Sequence, residues 1–197
     1  ITGKNEKGEL QLEGGWQNNR PMGIHPENRM VENIFEELDA PGEWYYDKQE
    51  GWLYYYPLSD ENINELVFET PQLKNLIEIA GTSSHPVKNI TIEGIELTQT
   101  IRTFMEHYEP LLRSDWTIYR GGAVIFRGTE KCTLRDCYIH HVGGNGVFFD
   151  KYNRNSAVTG SYLTSIGASA ICFVGDVAGV RSPSFRYGEF VPLDKMD

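Results

Sequence analysis

Two aspartates fall where paired carboxylate chemistry becomes possible. Asp150 ends the run Val147-Phe148-Phe149-Asp150, and Asp176 ends Phe173-Val174-Gly175-Asp176. Alternation along an extended chain sends Val147 and Phe149 to one side and Phe148 and Asp150 to the other. The same rule sets Cys172, Val174 and Asp176 against Ile171 and Phe173. Matching the two runs places Val174 opposite Asp150, with Asp176 two residues further along. If the runs stack as neighbouring strands, a step of about 4.8 Å across and about 6.6 Å along puts the aspartate Cα atoms about 8 Å apart. Carboxyl pairs separated by about 5 to 9.5 Å suit cleavage of a glycosidic bond, one protonated as acid and one ionised as nucleophile or base. Retaining and inverting geometries both stay open. The plainer reading of either residue is a turn-capping aspartate at a strand end.

Other side chains are placed to share that face. Arg127 projects with Asp150 from the preceding segment and would lower a neighbouring carboxylate's pKa if the two pair. His140 and His141 precede Gly143-Gly144, where one could orient a hydroxyl or assist proton transfer; the ordinary alternative is a surface histidine. Tyr152 and Arg154 follow Asp150, and aromatic faces stack on sugars. Arg181, in Val180-Arg181-Ser182-Pro183, could hold an anionic or hydroxyl-rich substrate, though a loop salt bridge explains it equally well. Asp136 matches Gly94 and Gly160, which marks a turn position and not a catalytic one.

These residues sit on an internal repeat. Segments beginning at Asn89, Lys131 and Asn155 align with apolar residues at Ile92, Leu134 and Val158, then at Leu97, Ile139 and Leu163. A second strand recurs alongside as Ala123–Phe126, Gly146–Phe149 and Ala170–Phe173, at steps of 23 and 24 residues. Two short strands per step, each followed by Gly or Asn, predict one rung of a parallel β-helix, whose rungs cannot bury their inward side chains alone. Rungs are expected near 121–143, 144–167 and from 168 onward. Phe126, Phe149 and Phe173 are predicted to form an inward ladder. A sandwich with evenly spaced strands is the competing arrangement. The first repeat step is 42 residues where the next is 24, so about 18 residues are inserted between 100 and 120. This insertion carries Phe104, His107, Tyr108, Trp116 and Tyr119, and either borders a binding face, with Trp116 as a sugar contact, or lids exposed core.

Elsewhere the pattern is also β. Twenty glycines, nine prolines and many Ile, Val, Thr, Tyr and Phe favour short strands and tight turns. Glu43–Asp47 and Trp52–Tyr56 read as a hairpin, and Leu66–Glu69 and Leu76–Ala80 as further strands. The nearest helical stretches, Met30–Leu38 and Arg102–Leu112, are short. Residues 1–80 are thus expected to form a β-rich accessory segment, and 81–197 the rungs. The crossover rule for parallel strands makes the coil right-handed.

Composition excludes several classes. The chain has 197 residues, 40% hydrophobic and 23% charged, with a formal net charge of −10. With no basic tract, a nucleic-acid or anionic-membrane surface is not expected, and no run approaches the about 18 apolar residues of a membrane helix. Cys132, Cys137 and Cys172 lack CxxC spacing, so neither a disulfide framework nor a zinc site is indicated, and no cofactor is called for. The chain begins at Ile1, and Tyr187–Leu193 has no second copy to stack on. A bare rung end would forgo several kcal/mol at about 25 cal/mol per Å², so further rungs of a longer chain are expected after residue 197.

The stretches Glu32–Asp47, Trp52–Pro57, Gly144–Phe149, Tyr152-Asn153-Arg154 and Gly167–Asp176 resemble the right-handed parallel β-helix proteins among bacterial carbohydrate-active enzymes. Within that group the chain is most similar to glycoside hydrolase family 141, with family 120 xylosidases further off. The resemblance covers roughly residues 31 to 182. It implies a secreted or periplasmic hydrolase of plant or algal polysaccharide, with an oligo- or polysaccharide as its partner. Two other readings compete. A polysaccharide lyase would use a Ca²⁺-binding acid cluster and a Lys or Arg base on a uronate chain, which an acidic protein fits less well. A non-catalytic β-helix would bind carbohydrate or serve in adhesion.

Overall fold

A computed structural model describes residues 3–11, 32–103, 106, 109–110 and 117–176. The protein is all-β, with two single-turn 3-10 helices among the described residues. It divides into two compact units, Gly23–Thr70 and the remainder, Ile1–Met22 with Pro71–Asp197. The parallel strands begin at Ile77–Ala80, so the repeating part takes in residues ahead of the boundary at 81 expected from sequence.

Three parallel sheets form the repeating part of the larger unit, and the chain visits them in the same order on each repeat. The first sheet stacks Ile77–Ala80, Val124–Glu130, Val147–Arg154 and Ile171–Val174, with Val87–Lys88 beside the second half of Val124–Glu130. The second holds Thr91–Glu93, Thr133–Arg135 and Ala157–Thr159, and the third Glu96–Thr98, Tyr138–Val142 and Tyr162–Ile166. The register is the one the repeat predicts: Ile92 and Val158 flank Leu134, and Leu97 and Leu163 flank Ile139. Val147 pairs in parallel with Val124 on one side and Ile171 on the other.

The corners have a common cause. Nine residues at equivalent places have φ between 48° and 67°: Asn89, Lys131 and Asn155; Gly94, Asp136 and Gly160; Gln99, His141 and Ser165. One left-handed residue bends the chain sharply from one sheet into another, and Gly, Asn and Asp tolerate it best. Those types fill five of the nine places, so the Gly and Asn seen after strands in the sequence are corner residues. Asp136 is one of them, as its alignment with Gly94 and Gly160 predicts.

Inside the three sheets lie Val124, Phe126, Leu134, Ile139, Val147 and Phe149, all buried, with Cys132 and Cys137 among them as free thiols. The predicted ladder is present. Phe126 and Phe149 stack at 4.9 Å, and Phe149 and Phe173 at 4.3 Å. Phe173, in the last described strand, remains 69% exposed.

The outer side of the first sheet differs from expectation. Phe148 and Asp150 do point away from Phe149, yet both are buried. The reason is a second apolar cluster in which Ile118, from the end of the insertion, packs with Ile125, Phe148 and Cys172. At least this part of the insertion lids the sheet. Its two ends are tied to the same corner: Thr100 Oγ1 accepts from the Gly143 amide at 2.9 Å, and Asn145 Nδ2 donates to the carbonyls of Tyr119 and Gly121. Gly143 is required here, because a Cβ would stand 2.5 Å from the Arg102 nitrogen.

In the smaller unit Trp44–Asp47 and Trp52–Tyr55 form the expected antiparallel hairpin. Its turn is held by Asp47 Oδ1, which accepts from the Gln49 amide at 2.9 Å, and by Gly51 at φ 73°. Phe35 meets Tyr45 and Tyr54 edge-on at 5.2 and 5.3 Å. Leu66–Glu69 is not a strand. Asn62 caps a 3-10 turn at Ile63–Glu65, and Phe68 reaches Tyr55 edge-on at 5.5 Å, a packing that needs no strand partner. Of the short helical stretches, Phe35–Glu37 is a single 3-10 turn, and Glu109–Pro110 pairs antiparallel with Thr117–Ile118.

Candidate functional site

Asp150 sits in the first sheet with Arg127 and Val174 as its register partners. Its side chain is 1% exposed and lies between two guanidiniums. Oδ1 accepts from Arg120 Nη1 and Oδ2 from Arg127 Nε, each at 2.5 Å. Arg120 also donates to the backbone carbonyls of Val174 and Gly175, at 3.4 and 3.1 Å. It therefore ties Asp150 to the residue preceding Asp176. Arg127 donates from Nη1 to Glu78 Oε1 at 3.0 Å. Charge-assisted bonds of this kind are the strong ones, and a guanidinium is suited to holding two acceptors at once. With both oxygens taken, a substrate atom reaches Asp150 only when Arg120 or Arg127 swings aside.

Asp176 is the more accessible carboxylate, 23% exposed, with Lys151 Nζ 3.3 Å from Oδ2. Lys151 has φ 60° and lies beside the register shift in the first sheet, between Arg127 and Thr129. That bulge breaks the alternation on which a shared face for Asp150 and Tyr152 depends. Tyr152 instead donates to Glu130 Oε1 at 2.8 Å, and Lys88 Nζ pairs with Glu130 Oε2 at 2.6 Å. The bond from Lys88, then that from Tyr152, holds the Glu130 carboxyl below its usual range, and Glu130 in turn raises the Tyr152 phenol. Arg154 lies over the Tyr152 ring at 5.5 Å. Tyr152 and Arg154 are thus together, in a cluster of their own.

His140 and His141 stand on the third sheet, away from the first-sheet strands that carry Asp150. His140 contacts Glu96 through Nε2 at 2.6 Å and His141 Nδ1 through its own Nδ1 at 2.7 Å. Tyr138 stacks on His140 at 4.2 Å and on Tyr162 at 5.5 Å. Trp116 and Arg181 lie outside the described residues.

Three residues that matter here escaped the sequence reading as site residues: Arg120, Asn145 and Glu96. Arg120 ends the insertion, and nothing in its local sequence says that the chain returns across Asp150. Asn145 is buried, donates to two carbonyls of the insertion and accepts from the Ser169 amide at 3.2 Å. Glu96 had a signal: it holds the place in its repeat that Tyr138 and Tyr162 hold in theirs, two residues before the matches of His140.

No family model, curated protein or solved structure matches the chain. Among the described residues no group of three or more His, Cys, Asp or Glu could hold a metal ion, and no helix is long and apolar enough to cross a membrane.

Proposed function

We propose that the repeating unit is part of a right-handed parallel β-helix and that it hydrolyses the glycosidic bonds of a plant or algal polysaccharide in a secreted or periplasmic setting. The register of Asp150 against Val174 carries this reading. Continued two residues past its last pair, that register supports Asp176 standing one strand over from Asp150, an offset compatible with a carboxyl pair of hydrolase spacing. Three sheets visited in fixed order, with one left-handed residue at each corner, support the coil, and the crossover rule supports its hand. The resemblance to glycoside hydrolase family 141 supports the substrate class. In this scheme Arg120 and Arg127 hold Asp150 as an ionised acceptor until one of them yields to substrate, and Asp176 is the group that substrate meets first.

One observation favours a second reading, carbohydrate binding without cleavage: both oxygens of Asp150 are already committed to guanidiniums. Incubation with plant and algal polysaccharides distinguishes the readings. A hydrolase releases reducing ends with no rise in absorbance near 235 nm. A lyase gives that absorbance through its unsaturated product, and a binder gives retention on the polysaccharide with neither signal.

A further inference from the structure

The two arginines on Asp150 are not equivalent. Arg120 is 17% exposed and spreads its donors over Asp150 Oδ1 and the backbone carbonyls of Val174 and Gly175. Withdrawing it would break all three bonds at once. Arg127 is 37% exposed, and its partners are the side chains of Asp150 and Glu78, the latter itself 40% exposed. Its Nη2 has no acceptor among the described residues. Arg127 is therefore the arginine that can turn toward solvent while Arg120 keeps Asp150 in place. A second accessible cation stands at Asp176. Lys151 is 44% exposed and lies 3.3 Å from Oδ2, beyond the about 2.7 to 2.9 Å of a tight charge-assisted bond.

What draws Arg127 away decides the substrate. A sugar hydroxyl can donate to Asp150 Oδ2, but it replaces a carboxylate on the guanidinium poorly, because two ionised partners attract more strongly than one ionised partner and a hydroxyl. A neutral glycan thus exchanges a strong bond for a weaker one. An anionic group on the sugar exchanges like for like, and two of its oxygens match the Nη1 and Nη2 edge of the guanidinium. The chain carries −10 overall, yet Asp150, Asp176 and Glu78 are balanced here by Arg120, Arg127 and Lys151. An approaching anion meets a neutral cluster in an otherwise acidic protein. We propose that Arg127 is the specificity-determining residue of the Asp150 site, and that its ligand is an anionic group of the glycan, a uronate carboxylate or a sulfate ester. This group takes the guanidinium from Asp150 and opens Oδ2 to the sugar. The inference rests on the hydrolase reading of Asp150, but it is a statement about binding and is tested by binding.

The test is calorimetric titration of the full 197-residue chain at low salt with two matched pairs of oligosaccharides: oligogalacturonate against its neutral methyl ester, and a sulfated oligogalactan against its desulfated form. The expected result is at least fivefold tighter binding of the charged member in one pair, which identifies the carboxylate or the sulfate, and a preference that shrinks as salt is added. Arg127→Gln should bring the preference below about twofold, and Arg127→Lys should restore part of it. Arg135→Gln, which removes a cation paired with Glu93 on the second sheet, should leave it unchanged. Circular dichroism of each variant verifies that it is folded. Equal binding of charged and neutral members in both pairs, an undiminished preference in folded Arg127→Gln, or a folded wild-type chain that binds none of the four would overturn the assignment. Release of reducing ends is scored separately. Cleavage of a neutral glycan without any charge preference sinks this inference alone, and a charge preference that needs Arg127 without cleavage upholds it while sinking the hydrolase reading.

Discussion

Replacing Asp150 by asparagine keeps the side-chain volume and removes the charge between two arginines. Asp150 is 1% exposed, so its loss falls on groups with little access to water. Arg120 is 17% exposed and loses a charge-assisted bond worth about 2 kcal/mol. Arg127 is 37% exposed and keeps Glu78, so its share is screened to about 0.5 kcal/mol. The asparagine amide also turns a donor toward a guanidinium, leaving an unsatisfied contact that costs about 1 kcal/mol. The sum is about 3.5 kcal/mol, in the lower range for breaking a buried pair by removing one partner. With a urea m value of about 2 kcal/mol per M, the unfolding midpoint should fall by about 1.8 M at unchanged m. Arg127→Met leaves Asp150 Oδ2 buried without its donor and should cost about 2 kcal/mol, less than Asp150→Asn because Arg120 still holds Oδ1. Equilibrium urea unfolding followed by tryptophan fluorescence reads both. A loss below about 1 kcal/mol in Asp150→Asn, or an equal loss in Arg127→Met, would refute the buried-triad account.

Removal of the middle ring of the ladder should be far costlier than removal of its end. Phe149→Ala is expected to lose about 3 to 5 kcal/mol and the exposed Phe173→Ala under about 1.5 kcal/mol, measured by the same unfolding. Glu130 has its folded pKa lowered by Lys88 and Tyr152, so it stabilises the fold above its unfolded value of about 4.3 and loses that contribution as pH falls through the lower folded value. Thermal melts should accordingly show a wild-type advantage over Glu130→Gln at pH 7 that shrinks as pH drops below about 4. Burial raises the Cys172 thiol, so it should alkylate with iodoacetamide at pH 8 much more slowly in the folded chain than after denaturation, as mass spectrometry of the labelled peptide would report.

The repeat was legible because parallel pairing imposes one register on every copy of it. Once Phe126, Phe149 and Phe173 align, the pairing of Arg127 with Asp150 and of Asp150 with Val174 follows without further information. Corner residues were legible for a local reason, since Gly94 and Gly160 mark a left-handed turn that Asp136 shares. What covers the outer face was not legible. Alternation distinguishes the two sides of a strand, but it does not say which side meets solvent, and Ile118 returns from an insertion that has no counterpart in the next repeat. Arg120 arrives by the same route. The bulge at Lys151 was hidden too, because one extra residue shifts Tyr152 toward Glu130 without altering the apolar pattern before it.

The central claim is that Asp176, backed by the fixed Asp150, cleaves a glycosidic bond on the outer side of the first sheet. It is tested most directly by the turnover of Asp176→Asn on a polysaccharide that the wild-type chain degrades, with binding to the same polysaccharide measured in parallel. The account predicts that turnover falls by about 10²- to 10⁴-fold, the usual contribution of a positioned acid or base, while binding and the urea midpoint stay near wild type. Full turnover in Asp176→Asn, or a folded wild-type chain that binds polysaccharide and releases no reducing ends, would contradict it.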